Sequence, residues 1–129
     1  MRISDIGIMK LEGMEFHAFH GCFEEEKSQG NLFTVDFEGE FYILASGQSD
    51  SLEDTVDYGA IYEIVRREME KPSDLLENVA TRIVKAISEA FPNSFRSFSV
   101  TVSKRNPPVN GVCAWSRITA AATQEEEAL

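Results

Sequence analysis

The stretch PSDLLENVATRIVKAISEAF, Pro72 to Phe91, places Leu76, Val79, Ala80, Ile83, Ile87 and Phe91 at three- and four-residue steps, with Arg82, Lys85, Ser88 and Glu89 on the opposite side. That spacing predicts one amphipathic helix whose apolar stripe faces a core. Ser73 or Asp74 is positioned to cap its first turn, and Asp74 with Glu77 three residues on has the spacing of a capping box. Two readings of Glu77 stand. In one it completes the cap and favours the positive helix end by a few tenths to about 1 kcal/mol. In the other its carboxylate, beside free backbone N–H groups, accepts two parallel charge-assisted hydrogen bonds from a flat ligand.

The rest of the chain supplies what that helix covers. Met14, Phe16 and Ala18 alternate with Glu15, His17 and Phe19 in a run that begins at Ile8 and ends at Gly21, while residues 1–8 read as a loose arm. After Cys22 and Phe23, Glu24 to Gly30 reads as a loop and polar turn. Phe33, Val35, Phe37, Phe41 and Ile43 then mark a second long strand, antiparallel to the first. Ser46 to Asp54 is Ser-, Gly- and Asp-rich and reads as a loop. It leads through Thr55-Val56-Asp57-Tyr58-Gly59 into a first helix bearing Ile61, Ile64, Val65 and Met69, which Pro72 separates from the second. Beyond Pro92, Phe98, Val100, Val102 and Lys104 share the inner face of a third strand, and Val112, Ala114 and Ile118 carry a fourth.

The order ββααββ predicts an α+β domain, a four-stranded antiparallel sheet with two helices on one face. The other face carries Thr34, Asp36, Glu38, Glu40, Ser97, Ser99, Thr101 and Ser103 and would be wet. A half-exposed sheet accounts for this. So does a ring in which sheet edges pair between subunits and close a β-barrel with a polar lumen, the reading preferred here.

A length of 129 residues fits one domain, with the core at about residues 8–120 and an acidic, solvated tail at 123–129. Two cysteines and no export-type apolar run point to the cytoplasm, and no segment approaches a membrane span. The net charge of −10 disfavours nucleic acid and anionic membrane as partners.

Four constellations bear on chemistry. His17, His20 and Cys22 are close in sequence, but strand alternation splits them, and a zinc site would need a further ligand such as Cys113. Tyr58 is either an aromatic packing beside the helix start or a phenol held at a pocket rim to exchange a proton. Lys104 either snorkels past the core edge or, desolvated beside the stiff Asn106-Pro107-Pro108 turn, serves proton transfer or covalent catalysis. Glu77, on its ligand reading, suits the guanidine-like edge of a pterin or purine.

Leu11-Glu12-Gly13-Met14 with Phe16, Phe19-His20-Gly21, Asp54-Thr55-Val56-Asp57-Tyr58-Gly59, Leu75-Leu76-Glu77, and Lys104 with Asn106-Pro107-Pro108 together resemble the dihydroneopterin aldolase family of the tunnelling-fold superfamily, from about Leu11 to Thr119. The resemblance implies a folate-pathway lyase. It would cleave 7,8-dihydroneopterin by a retro-aldol reaction to 6-hydroxymethyl-7,8-dihydropterin and glycolaldehyde, with the ring imine as electron sink and no metal, Schiff base or cofactor. It implies that Glu77 and the Leu76 backbone hold the pterin edge, that Lys104 is the catalytic acid/base, and that Tyr58 assists proton transfer. Val56 would give backbone contacts, and Glu26 would sit near the substrate's hydroxylated side chain, with Glu24 and Glu25 as alternatives. It further implies a homo-octamer of two stacked tetrameric rings, in which Glu26 and Tyr58 reach a pocket whose Glu77 and Lys104 come from an adjacent chain. Cys113, Trp115 and Arg117 depart from the family pattern on the last strand, as does Asp57 before the tyrosine. Alternatives are an epimerase, which the same residues would serve on dihydroneopterin while the few basic candidates Arg105 and Arg117 disfavour the triphosphate, and a non-catalytic pterin- or purine-binding module, against which the presence of both Lys104 and Tyr58 argues.

Overall fold

The predicted alternation resolves into four strands bonded in the order β1-β2-β3-β4, every neighbouring pair antiparallel. A computed structural model of the chain describes residues 1–125. Along it run β1 (Ile6–Ala18), α1 (Glu24–Gln29), β2 (Asn31–Tyr42), α2 (Leu44–Ser49), a short 3-10 turn (Leu52–Asp54), α3 (Tyr58–Met69), α4 (Leu76–Ala90), β3 (Ser97–Arg105) and β4 (Trp115–Thr123).

The expected α+β architecture holds. Val79, Ala80, Ile83 and Ile87 of α4 and Ile61, Ile64, Val65 and Met69 of α3 are buried together with Phe33, Val35, Phe37, Val100 and Val102 of the sheet. Phe95, between α4 and β3, adds an aromatic plug against Phe37, Phe91 and Phe98. Removing a side chain such as Ile83 from this core costs roughly 2–5 kcal/mol, because a close-packed interior closes only partly over a void.

Several local expectations are corrected. β1 starts at Ile6, so residues 6–8 are strand, not arm. Within β1 the apolar parity switches from Met9 and Leu11 to Met14 and Phe16. The cause is a bulge: Glu12 and Gly13 together oppose Asp36, Gly13 holds φ +71°, and its N–H donates to the Asp36 carboxylate at 2.7 Å. Glu24 to Gln29 is a helix rather than a loop, with three acids favouring its positive N-terminal turn. The Ser- and Gly-rich segment after β2 likewise contains α2 and the 3-10 turn; Ile43 lies outside β2.

α4 begins at Leu76, with Leu75 at its cap position, so neither Ser73 nor Asp74 caps it and no capping box forms. Both have other partners: Ser73 Oγ bonds Asn78 and Arg82, and Asp74 pairs with Lys27 at 2.9 Å. Val112 and Ala114 belong to the turn before β4, where Val112 is fully exposed. At the other end, Thr123 completes β4 and Gln124 bonds the Pro92 and Phe95 carbonyls, so the tail does not start at residue 123. Glu126 and Glu127 lie outside the described residues.

Candidate active site

Three segments distant in sequence meet at one end of the sheet. Lys104 closes the inner face of β3 opposite Phe33 of β2, and its ammonium lies 6.0 Å from the Phe33 ring. It is only 9% exposed. A buried ammonium needs a counter-charge, and α1 delivers one: Lys104 Nζ donates to Glu26 Oε2 at 2.7 Å. The other Glu26 oxygen accepts from the Phe23 N–H at 3.4 Å, satisfying an amide at the start of α1. Of the three acids, Glu26 is the one that meets Lys104, while Glu24 and Glu25 are exposed.

Glu77 stands across from this pair in the first turn of α4 and is exposed. Among the described residues its carboxylate makes no hydrogen bond or ion pair, and the Leu76 and Glu77 amides have no backbone partner. Glu77 thus completes no capping box, yet it stands in the positive first turn of α4, an anion with open acceptors beside open donors. Glu26, Leu76, Glu77 and Lys104 line one cavity of about 210 Å³ with Cys22, Phe23, Asp74, Leu75, Pro107, Pro108, Ser116 and Ile118. Asn106 holds φ +46°, a conformation asparagine tolerates, and turns the two prolines into the wall. Alternation along β4 sends Ser116 and Ile118 to the cavity, while Trp115 and Arg117 stack at 5.2 Å on the opposite face. Those two departures from the family pattern thus leave this wall alone.

The mouth of α4 is fixed by two devices. Gly21 N–H donates to the Ser73 carbonyl at 2.9 Å and Ser73 N–H donates to His20 Nδ1 at 3.1 Å, tying the approach to α4 onto the end of β1. His20 is 1% exposed and packs edge-on against Phe33. Burial, reinforced by the nearby Arg82 and Lys104 charges, pushes its pKa down from 6.5 to about 4, so it stays neutral and able to accept. Arg82 commits all five of its N–H donors, to Asn78, to the Glu68 carbonyl and carboxylate, to the Lys71 carbonyl and to Ser73 Oγ. The sequence singled out neither role. A polar residue on the rim of an amphipathic helix gives no sign of which loop it gathers.

Val56 and Tyr58 are elsewhere: Val56 is buried before α3, Tyr58 is the first residue of α3 and 62% exposed, and neither lines the cavity. The division expected from the sequence is corrected, because Glu26 sits in one chain with Glu77 and Lys104 and apart from Tyr58. Asp57 caps α3 by accepting from the Gly59 N–H at 2.9 Å, which accounts for an acid before the tyrosine. A larger neighbouring hollow of about 550 Å³, lined by Phe19, Gly21, Lys27, Pro72, Ser73 and Asp74, has its two charges already paired with each other.

The chain is similar to known proteins in sequence and in fold. A family model described as FolB, dihydroneopterin aldolase, matches residues 9–121. A Staphylococcus epidermidis dihydroneopterin aldolase is 38% identical over 105 residues, 81% of this chain and 86% of that protein. Among solved structures, the Escherichia coli dihydroneopterin aldolase in complex with neopterin aligns with a TM-score of 0.76 at 21% identity, covering 88% of this chain and 98% of the other. A Burkholderia dihydroneopterin aldolase bound to guanine aligns at 0.75 with 14% identity, over 94% and 93%. The sheet, its helical cover and a family match spanning nearly the whole domain make the chain a member of the dihydroneopterin aldolase family, an enzyme of that type and a lyase of folate biosynthesis.

Proposed function

We propose that the Glu26, Leu76, Glu77 and Lys104 cavity is where 7,8-dihydroneopterin binds and is cleaved, and the observation that carries this is the open Glu77 carboxylate facing the buried Lys104–Glu26 pair across one cavity. Glu77 accepts from the ring N–H and amino group of the pterin edge in two parallel charge-assisted bonds, and the Leu76 backbone meets the same edge. Neopterin and guanine, bound by the two relatives above, both present such an edge.

With the ring so anchored, its hydroxylated side chain lies towards Glu26, and Lys104 lies near N5. The 2′-hydroxyl loses its proton, the bond between C1′ and C2′ breaks, glycolaldehyde leaves, and the bonding pair passes through C6 to N5. Protonation at C1′ then gives 6-hydroxymethyl-7,8-dihydropterin. Lys104 serves as general acid/base, through water, rather than as a covalent nucleophile. Glu26 holds its ammonium in place and adds an acceptor for a substrate hydroxyl.

Tyr58, as proton-transfer partner, and Val56, through its backbone, come from a neighbouring copy. The volume of about 210 Å³ is below the roughly 300 Å³ from which drug-sized ligand sites start, in keeping with a site completed by a second chain. β1 and β4 are the two sheet edges, and their pairing between copies closes the barrel of the proposed octamer and puts Asp36, Glu38, Ser99 and Thr101 on its lumen. Among the described residues no helix is long and apolar enough to cross a membrane; we assign the enzyme to the cytoplasm, as two exposed free cysteines suggest.

The test is to incubate chelator-treated protein with 7,8-dihydroneopterin and follow both products by chromatography, alongside Lys104→Ala. Equal release of the two by wild type, and binding without turnover by the variant, is expected. Isomerisation of the side chain without cleavage supports an epimerase instead, and full turnover by Lys104→Ala removes the lysine from the mechanism.

A further inference from the structure

Position 21 is occupied by a residue with no side chain for a reason that lies in the active site. Gly21 is buried, at φ +153°, where L side chains are strained. A Cβ built there would lie 2.5 and 2.6 Å from the two Glu26 carboxylate oxygens, well inside contact distance. Glu26 is thus held on three sides. Lys104 draws one oxygen at 2.7 Å, the Phe23 N–H takes the other at 3.4 Å, and the bare Cα of Gly21 forms the floor.

We infer that Gly21 is a positioning residue for catalysis: its missing side chain is the space in which the Glu26 carboxylate sits, and any Cβ there pushes that carboxylate off Lys104 and out of its proposed place against the substrate side chain. This rests on the reading of Glu26 as part of the substrate site. The main chain of Gly21 is bonded to Ser73 and fixed, whereas Glu26 ends a flexible side chain, so a collision is relieved by moving the carboxylate. The cost falls on the geometry of the site, where displacements of about 1 Å cost up to about a hundredfold in rate.

Two consequences of Gly21→Ala are separable. Strain at φ +153° is the same whatever residue 26 is. The collision requires a side chain as long as glutamate, so aspartate, one methylene shorter, relieves it. Single and double variants are therefore compared for kcat/KM towards 7,8-dihydroneopterin, for kcat and KM separately, and for thermal midpoint. Gly21→Ala is expected to lower kcat/KM by about tenfold or more, mostly in kcat. Glu26→Asp is expected to lower activity when residue 21 is glycine yet raise it, by about threefold or more, when residue 21 is alanine. That reversal of sign has no counterpart in a purely structural glycine.

If Glu26→Asp costs the same fold in both backgrounds, while activity follows the thermal midpoint, the inference is overturned and only the backbone angle matters. Should Gly21→Ala alone fail to fold, folding and turnover by the Gly21→Ala, Glu26→Asp double variant support the inference, and failure of both chains to fold overturns it. Glu26→Ala, made in parallel, separates the underlying reading: full turnover there removes Glu26 from the site and the inference with it. A strong loss there with no sign reversal removes the inference alone.

Discussion

Acid should loosen this protein through one histidine, across the range between pH 6.5 and about 4. His20 is neutral in the fold, with Nδ1 accepting from the Ser73 N–H, and protonation would turn that acceptor into a donor aimed at a donor. Its pKa falls from 6.5 to about 4 through burial and the repulsion of Arg82 and Lys104. A histidine depressed on folding binds protons more tightly when unfolded. Its contribution is complete above the unfolded value, is lost as pH falls, and is gone once pH passes below the folded value. The gap is worth about 3 kcal/mol at 1.36 kcal/mol per pH unit, and about 2 kcal/mol of it is already lost near pH 5.

The assay is guanidinium unfolding of wild type and His20→Asn at fixed chain concentration, near pH 7 and near pH 5. Asparagine offers an oxygen where Nδ1 stood and does not titrate. Wild type should lose about 2 kcal/mol more than the variant between the two pH values. Parallel losses would refute the assignment of acid sensitivity to His20.

Glu77→Gln, which keeps the shape and loses the charge, should weaken pterin binding about ten- to a hundredfold while leaving the thermal midpoint nearly unchanged, measured by calorimetry with neopterin. Lys104→Ala chains co-refolded with Tyr58→Phe chains should regain part of the activity each lacks alone, because some sites in a mixed assembly take Lys104 from one copy and Tyr58 from the other; no regain in a confirmed mixed assembly refutes a site shared between copies. Arg82→Met should cost roughly 3 kcal/mol in chemical denaturation, since it leaves the half-buried Glu68 carboxylate with only exposed Lys71 and frees the approach to α4.

The helix stripe, the β alternation and the order ββααββ were legible in the sequence because periodicity reports directly on which side of an element is buried. Resemblance picked out Glu26, Leu76, Glu77 and Lys104, and the fold brings all four to one cavity. Local composition misled where short polar segments form helices only with tertiary support: Glu24 to Gln29 is held beside the buried lysine, and Leu44 to Ser49 follows directly from β2. The capping box at Asp74 and Glu77 had the right spacing, but Lys27 and Arg82 claimed the capping segment, and a side chain with a stronger partner does not cap. Sequence by itself determined which residues are apolar, how they alternate, and where a lysine ends a core face. Only the tertiary structure decided which of three adjacent glutamates meets that lysine, that Glu77 has no partner among the described residues, and that Gly21 leaves room for a carboxylate, because these are distances between segments far apart in the chain, and no local pattern encodes a distance.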